Sequence, residues 1–414
     1  MSIQSLFGFV FFVLIAWCFS ENRRQFPVRI VVVGMIVQLV LGIILLKFSP
    51  VTDGFIYLNR AVLALQESTR AGTSFVFGFI GGGDAPYEIK YAHASFILAF
   101  QALPLVLVIS ALSSVLFYWK VLPKIVKGFS WVLVKSMKLG GAEGLGVSAN
   151  IFVGMVEAPL LIRPYVKQMT KSELFTLMTS GMATIAGTVM VLYATILESV
   201  IPNVIGHILT ASIISVPAAI VVSKVMIPET RELTRGELTA SDKATSTMDA
   251  ITKGTTQGLD LLLNIIAMVI VLVALVHLLN LMLGLIPDVY GSQLTLQRIF
   301  GWMMSPVVWL MGIPWHEANT AGSLMGTKTI LNEFIAYLDM THLPHGTLSP
   351  RSLLIMSYAL CGFANPGSLG IMIGGLGGIA PERRDDIVAL GPRSIIAGTI
   401  ATCMTGAVVG ILNG

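Results

Sequence analysis

Eight stretches of the chain are apolar over close to the length that crosses a bilayer: residues 4–20, 29–47, 96–118, 174–198, 202–226, 257–285, 352–376 and 394–412. A membrane-spanning helix needs about 20 mostly apolar residues, so these read as eight spans. Two further stretches, 142–162 and 304–338, are apolar but interrupted by Gly and Pro, and they carry acidic residues. They read as re-entrant hairpins, which persist at membrane depth only when buried in protein or lining a cavity. Segment 227–256 is rich in Thr, Ser, Glu and Lys, has no apolar face before about residue 248, and reads as a linker. Segment 50–93 is mixed. Its Arg60–Arg70 part predicts an amphipathic helix lying at the interface, and Gly81-Gly82-Gly83-Asp84 a loop. The first apolar run lacks a basic leader and a small-residue cleavage site before Glu21, so it predicts a retained helix rather than a removed signal.

The basic residues set an orientation. Arg23, Arg24 and Arg29 follow the first span; Lys120, Lys124, Lys127, Lys135 and Lys138 follow the third; Arg163, Lys167 and Lys171 follow the first hairpin; Arg383, Arg384 and Arg393 follow the seventh span. Cytoplasmic loops carry the excess of Lys and Arg, which puts these loops and the linker inside. The loop 339–350, with His342 and His345, falls outside. These placements agree only if both termini lie outside, and the two hairpins then enter from opposite sides. Each hairpin holds a Glu and is followed by a Gly-interrupted helix: Glu157 with Gly181-Met-Ala-Thr184, then Glu333 with Gly362-Phe-Ala-Asn365. Inverted repeats with broken helices meeting at the midplane are a recurrent plan of secondary transporters.

Composition narrows the class. Of 414 residues, 55% are apolar and 12% charged, with mean hydropathy +0.83. Soluble domains carry about 25% charged residues, so much of this surface must face lipid. The net charge of +4 has no Lys/Arg block behind it, and nucleic acid is not an expected partner. Cys18, Cys361 and Cys403 stand in apolar stretches without metal or disulfide spacing. The Gly-x-Gly-Asp match at 81–84 has no second aspartate in a span to share a proton with, which excludes an intramembrane aspartic protease. Neither His-Glu-x-x-His nor a phosphate-binding Gly-x-x-x-x-Gly-Lys-Ser/Thr occurs. No enzyme is expected. Two opposed hairpins suit alternating access to a small polar solute better than the symmetric ring of a channel.

An ionisable residue inside a span costs about 2.5–3.5 kcal/mol on insertion scales and marks function by default. The candidates are Glu157, Glu317 and Glu333 in the hairpins, Glu198 at a span end, and His207 and His277, which read as packing residues. Gly154 and Pro159 bracket Glu157, which either lines a cavity or caps its own hairpin. Glu333 either lines a cavity or pairs with Lys328. Glu317 with His316 is equally a cap or a site. Asn365-Pro366-Gly367-Ser368 must break the seventh span, and Thr184 with Gly187-Thr188 suggests a milder break in the fourth.

Gly72-Thr-Ser-Phe-Val-Phe-Gly78, Asn150-Ile-Phe-Val-Gly154 with Glu157-Ala-Pro-Leu160, Gly312-Ile-Pro-Trp-x-Glu-Ala318, Asn332-Glu-Phe334 and Cys361-Gly-Phe-Ala-Asn365 together resemble the concentrative nucleoside transporter family, in order and spacing over nearly the whole chain. The resemblance implies an all-α polytopic membrane protein of the bacterial eight-span type in the inner membrane. It implies a homotrimer whose protomers combine a scaffold with a mobile transport domain. On that plan residues 1–118 are scaffold helices with an interfacial segment, 119–226 and 287–414 the two transport-domain repeats, 227–256 a cytoplasmic linker and 257–286 a scaffold helix. It further implies cation-coupled nucleoside uptake without a cofactor. The base would be read by Met155, Val156, Glu157 and Val189, and the ribose held by Glu333, Phe363, Asn365 and Ser368. Sodium would sit at Asn150, Val153, Thr184 and Ile185; protons through Glu157 or Glu333 are the alternative, and Asn150 favours sodium.

Three positions depart from the family pattern. Gly154-Met-Val-Glu157 stands where Gly-Gln-Thr/Ser-Glu is usual. Met and Val keep the shapes of Gln and Thr but lose their hydrogen-bonding groups, so base recognition is expected to change while the ribose side stays intact. A modified nucleoside or a sugar-like solute is the alternative substrate. His316 replaces a small polar residue or Asn, and Pro366-Gly367 follows Asn365.

Overall fold

The computed structural model describes residues 2–88, 96–155, 157–236, 244–289 and 291–413. Among them the chain is helical, with one isolated bridge between Val289 and Ser292 and no strand. The fold is that of an all-α polytopic membrane protein.

Helices α1 (Ser2–Cys18) and α2 (Val28–Lys47) are the first two spans. Helix α3 (Ser49–Phe77) is longer than the expected Arg60–Arg70 segment. The third span is two pieces, α4 (Leu98–Gln101) and α5 (Leu105–Tyr118), because Pro104 interrupts it. Helix α6 (Val121–Met137) forms in the Lys-rich stretch read only as a cytoplasmic loop. Its buried Leu122, Val126, Ser130, Leu133 and Met137 recur at helical spacing, and its lysines point away.

The first hairpin comprises α7 (Gly141–Asn150), α8 (Glu157–Leu160) and α9 (Arg163–Val166), close to the expected 142–162. The fourth span divides into α10 (Lys171–Ala183) and α11 (Gly187–Leu197), at the predicted break. A reciprocal pair of hydrogen bonds between Thr170 and Glu173 starts α10. Helix α12 (Val204–Met226) is buried along almost its whole length and forms the centre of the molecule. Helix α13 (Thr247–Leu283) begins inside the expected linker, because the Ser246 side chain caps it by accepting from Asp249 N.

The second hairpin corrects the sequence reading. Residues 304–310 belong not to it but to a separate helix, α14 (Leu296–Leu310). Gly312, at φ +107°, turns the chain before the hairpin starts, and the apolar residues on both sides of it concealed the turn. The hairpin is α15 (Trp315–Ile330) and α16 (Glu333–Thr341). The seventh span is α17 (Pro350–Leu360) and α18 (Pro366–Ile379), and α19 (Arg384–Leu412) is the eighth. Pro366 does not kink a continuous helix. It is the first residue of a new one, where its missing N–H has no cost. Six helices or broken pairs are long and apolar enough to cross a membrane among the described residues, and α1 and α18 add two shorter apolar ones, matching the eight spans.

The element order is duplicated. An amphipathic helix, a hairpin, a broken span and a whole span follow one another in α6–α12 and again in α14–α19. Helix α1 lies on α12 and α19, and α2 mainly on α12. Helix α5 packs most closely on α13 and also touches α11, α6 and α3. Gly254 and Gly258 let the α5 and α13 backbones meet, since a Cβ on Gly254 would stand 2.6 Å from Ser110 O. Outside the spans, Glu21 accepts from Lys171 Nζ at 2.8 and 2.9 Å and pairs with Arg393, tying the α1–α2 loop to α10 and α19. Partial burial pushes the Glu21 carboxyl up, but Lys171 and Arg393 outweigh it and hold it below its ordinary value.

Candidate functional site

The hairpin tips and the two helix breaks converge. At hairpin 1, Gly154 takes φ +93° and Gly187 N, the first amide of α11, donates to Phe152 O at 3.1 Å. At hairpin 2, Asn332 caps α16 by accepting from Ile335 N at 2.9 Å, which fixes the next residue, Glu333, at the helix N-terminus. At the second break, Asn365 caps α18, its Oδ1 accepting from Ser368 N at 2.8 Å. Both helices therefore aim the positive ends of their dipoles at one place.

That place is a cavity of about 130 Å³. One water needs about 10–15 Å³ on the same measure, so this space holds several waters or a small solute and is not a packing flaw. Glu333 is buried at its edge. Its Oε1 accepts from Tyr193 OH at 2.6 Å and its Oε2 from Asn365 Nδ2 at 3.0 Å. Two donors hold the carboxylate rigidly and leave lone pairs for a ligand hydroxyl. Glu157 is exposed to the cavity and has no ion-pair partner among the described residues. Its carboxylate also accepts from its own backbone amide at the start of α8, so it lines the cavity and caps the hairpin's short helix at once.

Met155, Glu157, Val189, Glu333, Phe363, Asn365 and Ser368 all line this one cavity. Val156 lies outside the described residues. Asn150, Val153, Thr184 and Ile185 are buried together where hairpin 1 meets the fourth-span break. In the orientation that satisfies both its ends, the Asn150 amide donates to Gly154 O at 3.0 Å and accepts from Gly181 N at 3.3 Å. Thr184 Oγ1 donates to Ser180 O at 2.9 Å and keeps its lone pairs. No backbone amide among the described residues bonds the carbonyls of Thr184 or Ile185 outside the helices. Neutral oxygens in a buried cluster suit a hard cation.

Other expectations resolve by position. Glu317 stands at the mouth of hairpin 2, accepting from Ser349 Oγ at 3.2 Å with His316 3.6 Å away, and does not line the cavity. His207 packs on Tyr358, with Nδ1 2.9 Å from its hydroxyl. Lys328 does not pair with Glu333. Its Nζ donates to Ala359 O at 2.7 Å and Thr402 Oγ1 at 2.9 Å. The sequence reading missed Tyr193 and Asn264. Tyr193 falls one helical turn after Val189, a spacing that points it at the same cavity. Asn264 is a polar residue set in the apolar wall that α13 turns to the cavity.

Three family models match the chain: the Na+ dependent nucleoside transporter N-terminus over residues 7–80, nucleoside recognition over 99–200, and the Na+ dependent nucleoside transporter C-terminus over 207–410. The Helicobacter pylori nucleoside permease NupC is 32% identical over 418 residues, covering 100% of this chain and 98% of its own. The chain belongs to the concentrative nucleoside transporter family. The Bacillus subtilis transporter YutK is 38% identical over 416 residues, 99% of each chain. A solved structure of the family, CNTnw in an inward-facing substrate-bound state, matches with TM-score 0.90 at 32% identity, covering 100% of this chain and 98% of that one. The protein is thus a multi-pass membrane transporter of nucleosides and not an enzyme.

Proposed function

We propose that this transporter imports nucleosides together with sodium by alternating access, and that its base recognition departs from the family pattern. The carrying observation is the Glu333 carboxylate, held by Tyr193 and Asn365 at the converging N-termini of α16 and α18. Acceptor-only oxygens in that position fit the two hydroxyls of a ribose. Across the cavity stands Met155, whose thioether offers a base little beyond shape and apolar contact. Sodium, as co-substrate, would be held by Asn150, Thr184 and the carbonyls of Val153 and Ile185. This neutral oxygen set favours sodium over a proton.

The packing supports a division of labour. The α5–α13 pair would be the fixed scaffold, and α1, α2, α12 and α19 would move with the two hairpins. The site would then be carried past α13 as it alternates. We also assign the chain to the inner membrane as a homotrimer with both termini outside. A modified nucleoside or a sugar-like solute is the second reading, favoured by the apolar Met155.

Uptake of labelled nucleosides into proteoliposomes under a sodium gradient, and separately a proton gradient, tests this. Sodium-dependent concentrative uptake is expected. Its absence for every nucleoside in a folded, inserted protein would move the substrate to the second reading. The double replacement Met155→Gln with Val156→Thr should restore two hydrogen bonds to the base. At about 0.5–1.5 kcal/mol each, these would tighten uridine binding by roughly tenfold to a hundredfold, with little change in dependence on the ribose hydroxyls. An unchanged base preference would show that hairpin 1 does not read the base.

A further inference from the structure

Lys328 carries a charge that does not line the substrate cavity, although its field reaches Glu333. It lies in α15, is wholly buried, and has no carboxylate in ion-pair contact among the described residues. A charge at membrane depth is costly unless paired or functional. A neutral donor would cap the Ala359 carbonyl at less cost, so capping alone does not account for an ammonium here.

The duplicated order of elements shows where Lys328 stands. In the first repeat, Asn150 ends the first hairpin arm, α7, just before the tip that leads to Glu157. It meets α10 at Gly181, near that helix's C-terminal end and beside the break at Thr184. In the second repeat, Lys328 stands in the last turn of the first hairpin arm, α15, just before the tip that leads to Glu333. It donates to Ala359 O, in the last turn of α17 beside the break that starts at Cys361, and to Thr402 on α19. The last carbonyls of a helix lack intrahelical donors and carry partial negative charge, which a cation stabilises. Each repeat thus presents a hairpin arm to the carboxyl end of a half-helix. In the first repeat that junction is lined with neutral oxygens. In the second it is filled by an ammonium.

We infer that Lys328 is a tethered cation, taking in the second repeat the place that the proposed sodium takes in the first. The inference rests on the sodium reading of the Asn150 pocket. Its consequence is that one half of the machinery is permanently charged. Hairpin 2 stays docked on the seventh-span break, keeping Glu333, Asn365 and Ser368 assembled, and only hairpin 1 waits for a diffusible ion. One sodium should then accompany each nucleoside. Lys328 is a positioning residue and does not touch the substrate.

The test measures nucleoside binding to the full-length purified protein, with labelled uridine and adenosine as probes, over a sodium titration. The wild-type Hill coefficient for sodium is expected close to one; a value near two would overturn the inference without any variant. Lys328→Met, neutral and similar in shape, should weaken binding by about tenfold or more, as expected for losing a charged donor. Lys328→Ala should be rescued by ethylammonium chloride but not by ethanol, a distinction that a purely steric role would not produce. Wild-type affinity and sodium dependence in Lys328→Met would sink the proposal, as would failure of ethylammonium to rescue a folded Lys328→Ala. Sodium-independent binding by the wild-type protein would instead sink the sodium reading. Loss in Lys328→Met with ammonium rescue would then still show a tethered charge holding hairpin 2.

Discussion

Glu333→Gln should lower nucleoside affinity by about a hundredfold or more while the protein stays folded. The carboxylate accepts from Tyr193 at 2.6 Å and from Asn365 at 3.0 Å, and its remaining lone pairs face the cavity. A hydrogen bond to a charged group contributes about 1.5–3 kcal/mol. Two from a ribose diol come to at least about 3 kcal/mol, a factor of more than a hundred. Glutamine has the same shape but brings an NH2 group to a place already supplied with donors, so it must turn a donor on Asn365 or on Tyr193. Binding measured by calorimetry, beside the unfolding temperature of each variant, reads the effect. A nucleoside lacking both ribose hydroxyls supplies the cross-check. It should bind the wild type weakly and lose little further in Glu333→Gln, because the variant and the analogue remove the same interaction. Independent, additive losses would mean that Glu333 acts somewhere other than the ribose.

Much of this arrangement was legible in the sequence. Apolar length alone placed the eight spans, since the bilayer sets that length whatever the side chains are. The hairpins and the breaks at Thr184 and Asn365 were visible because Gly, Pro and a carboxylate are expensive at membrane depth and stand out there. Helices α6 and α14 were not seen. In α6 the lysines that signal topology interrupt the apolar pattern of Leu122, Val126 and Leu133. In α14 the apolar sequence runs on into hairpin 2, and the boundary is marked by Gly312, at positive φ, and Pro314, which read equally well as part of the hairpin. The packing of α1 and α2 on α12 was also hidden, because an apolar helix shows which residues are buried but not against what. Lys328 and Glu333 show the same limit. Five residues apart, they read as a pair, yet the chain turns between them at Leu331 and Asn332 and sends their side chains to opposite sides of the seventh-span break.

The contact that joins hairpin 1 to the fourth-span break should be equally intolerant of change. An ideal Cβ on Gly187 would stand 2.4 Å from Phe152 O, a backbone atom that cannot rotate away as a side-chain tip can. The Gly187 amide also donates to that oxygen at 3.1 Å. Gly187→Ala must therefore move the hairpin bodily, by roughly 1 Å to reach ordinary contact distance. The move parts Asn150 and Val153 from Thr184 and Ile185, and Met155 and Glu157 from Val189, without touching the substrate. A shift of about 1 Å at a site built from two bodies can cost a hundredfold. Sodium-stimulated uptake is accordingly expected to fall by about that factor. Stability should fall much less, because α12 and its neighbours keep their packing. Gly374→Ala, in α18 with nothing within 4 Å of its Cβ, is the control. It should transport normally, since alanine in a helix interior gains about 0.5–1 kcal/mol over glycine and meets no obstacle. If Gly187→Ala transports as well as Gly374→Ala, the first hairpin does not need its close seat on the break, and the sodium pocket cannot be built from both sides of that seam.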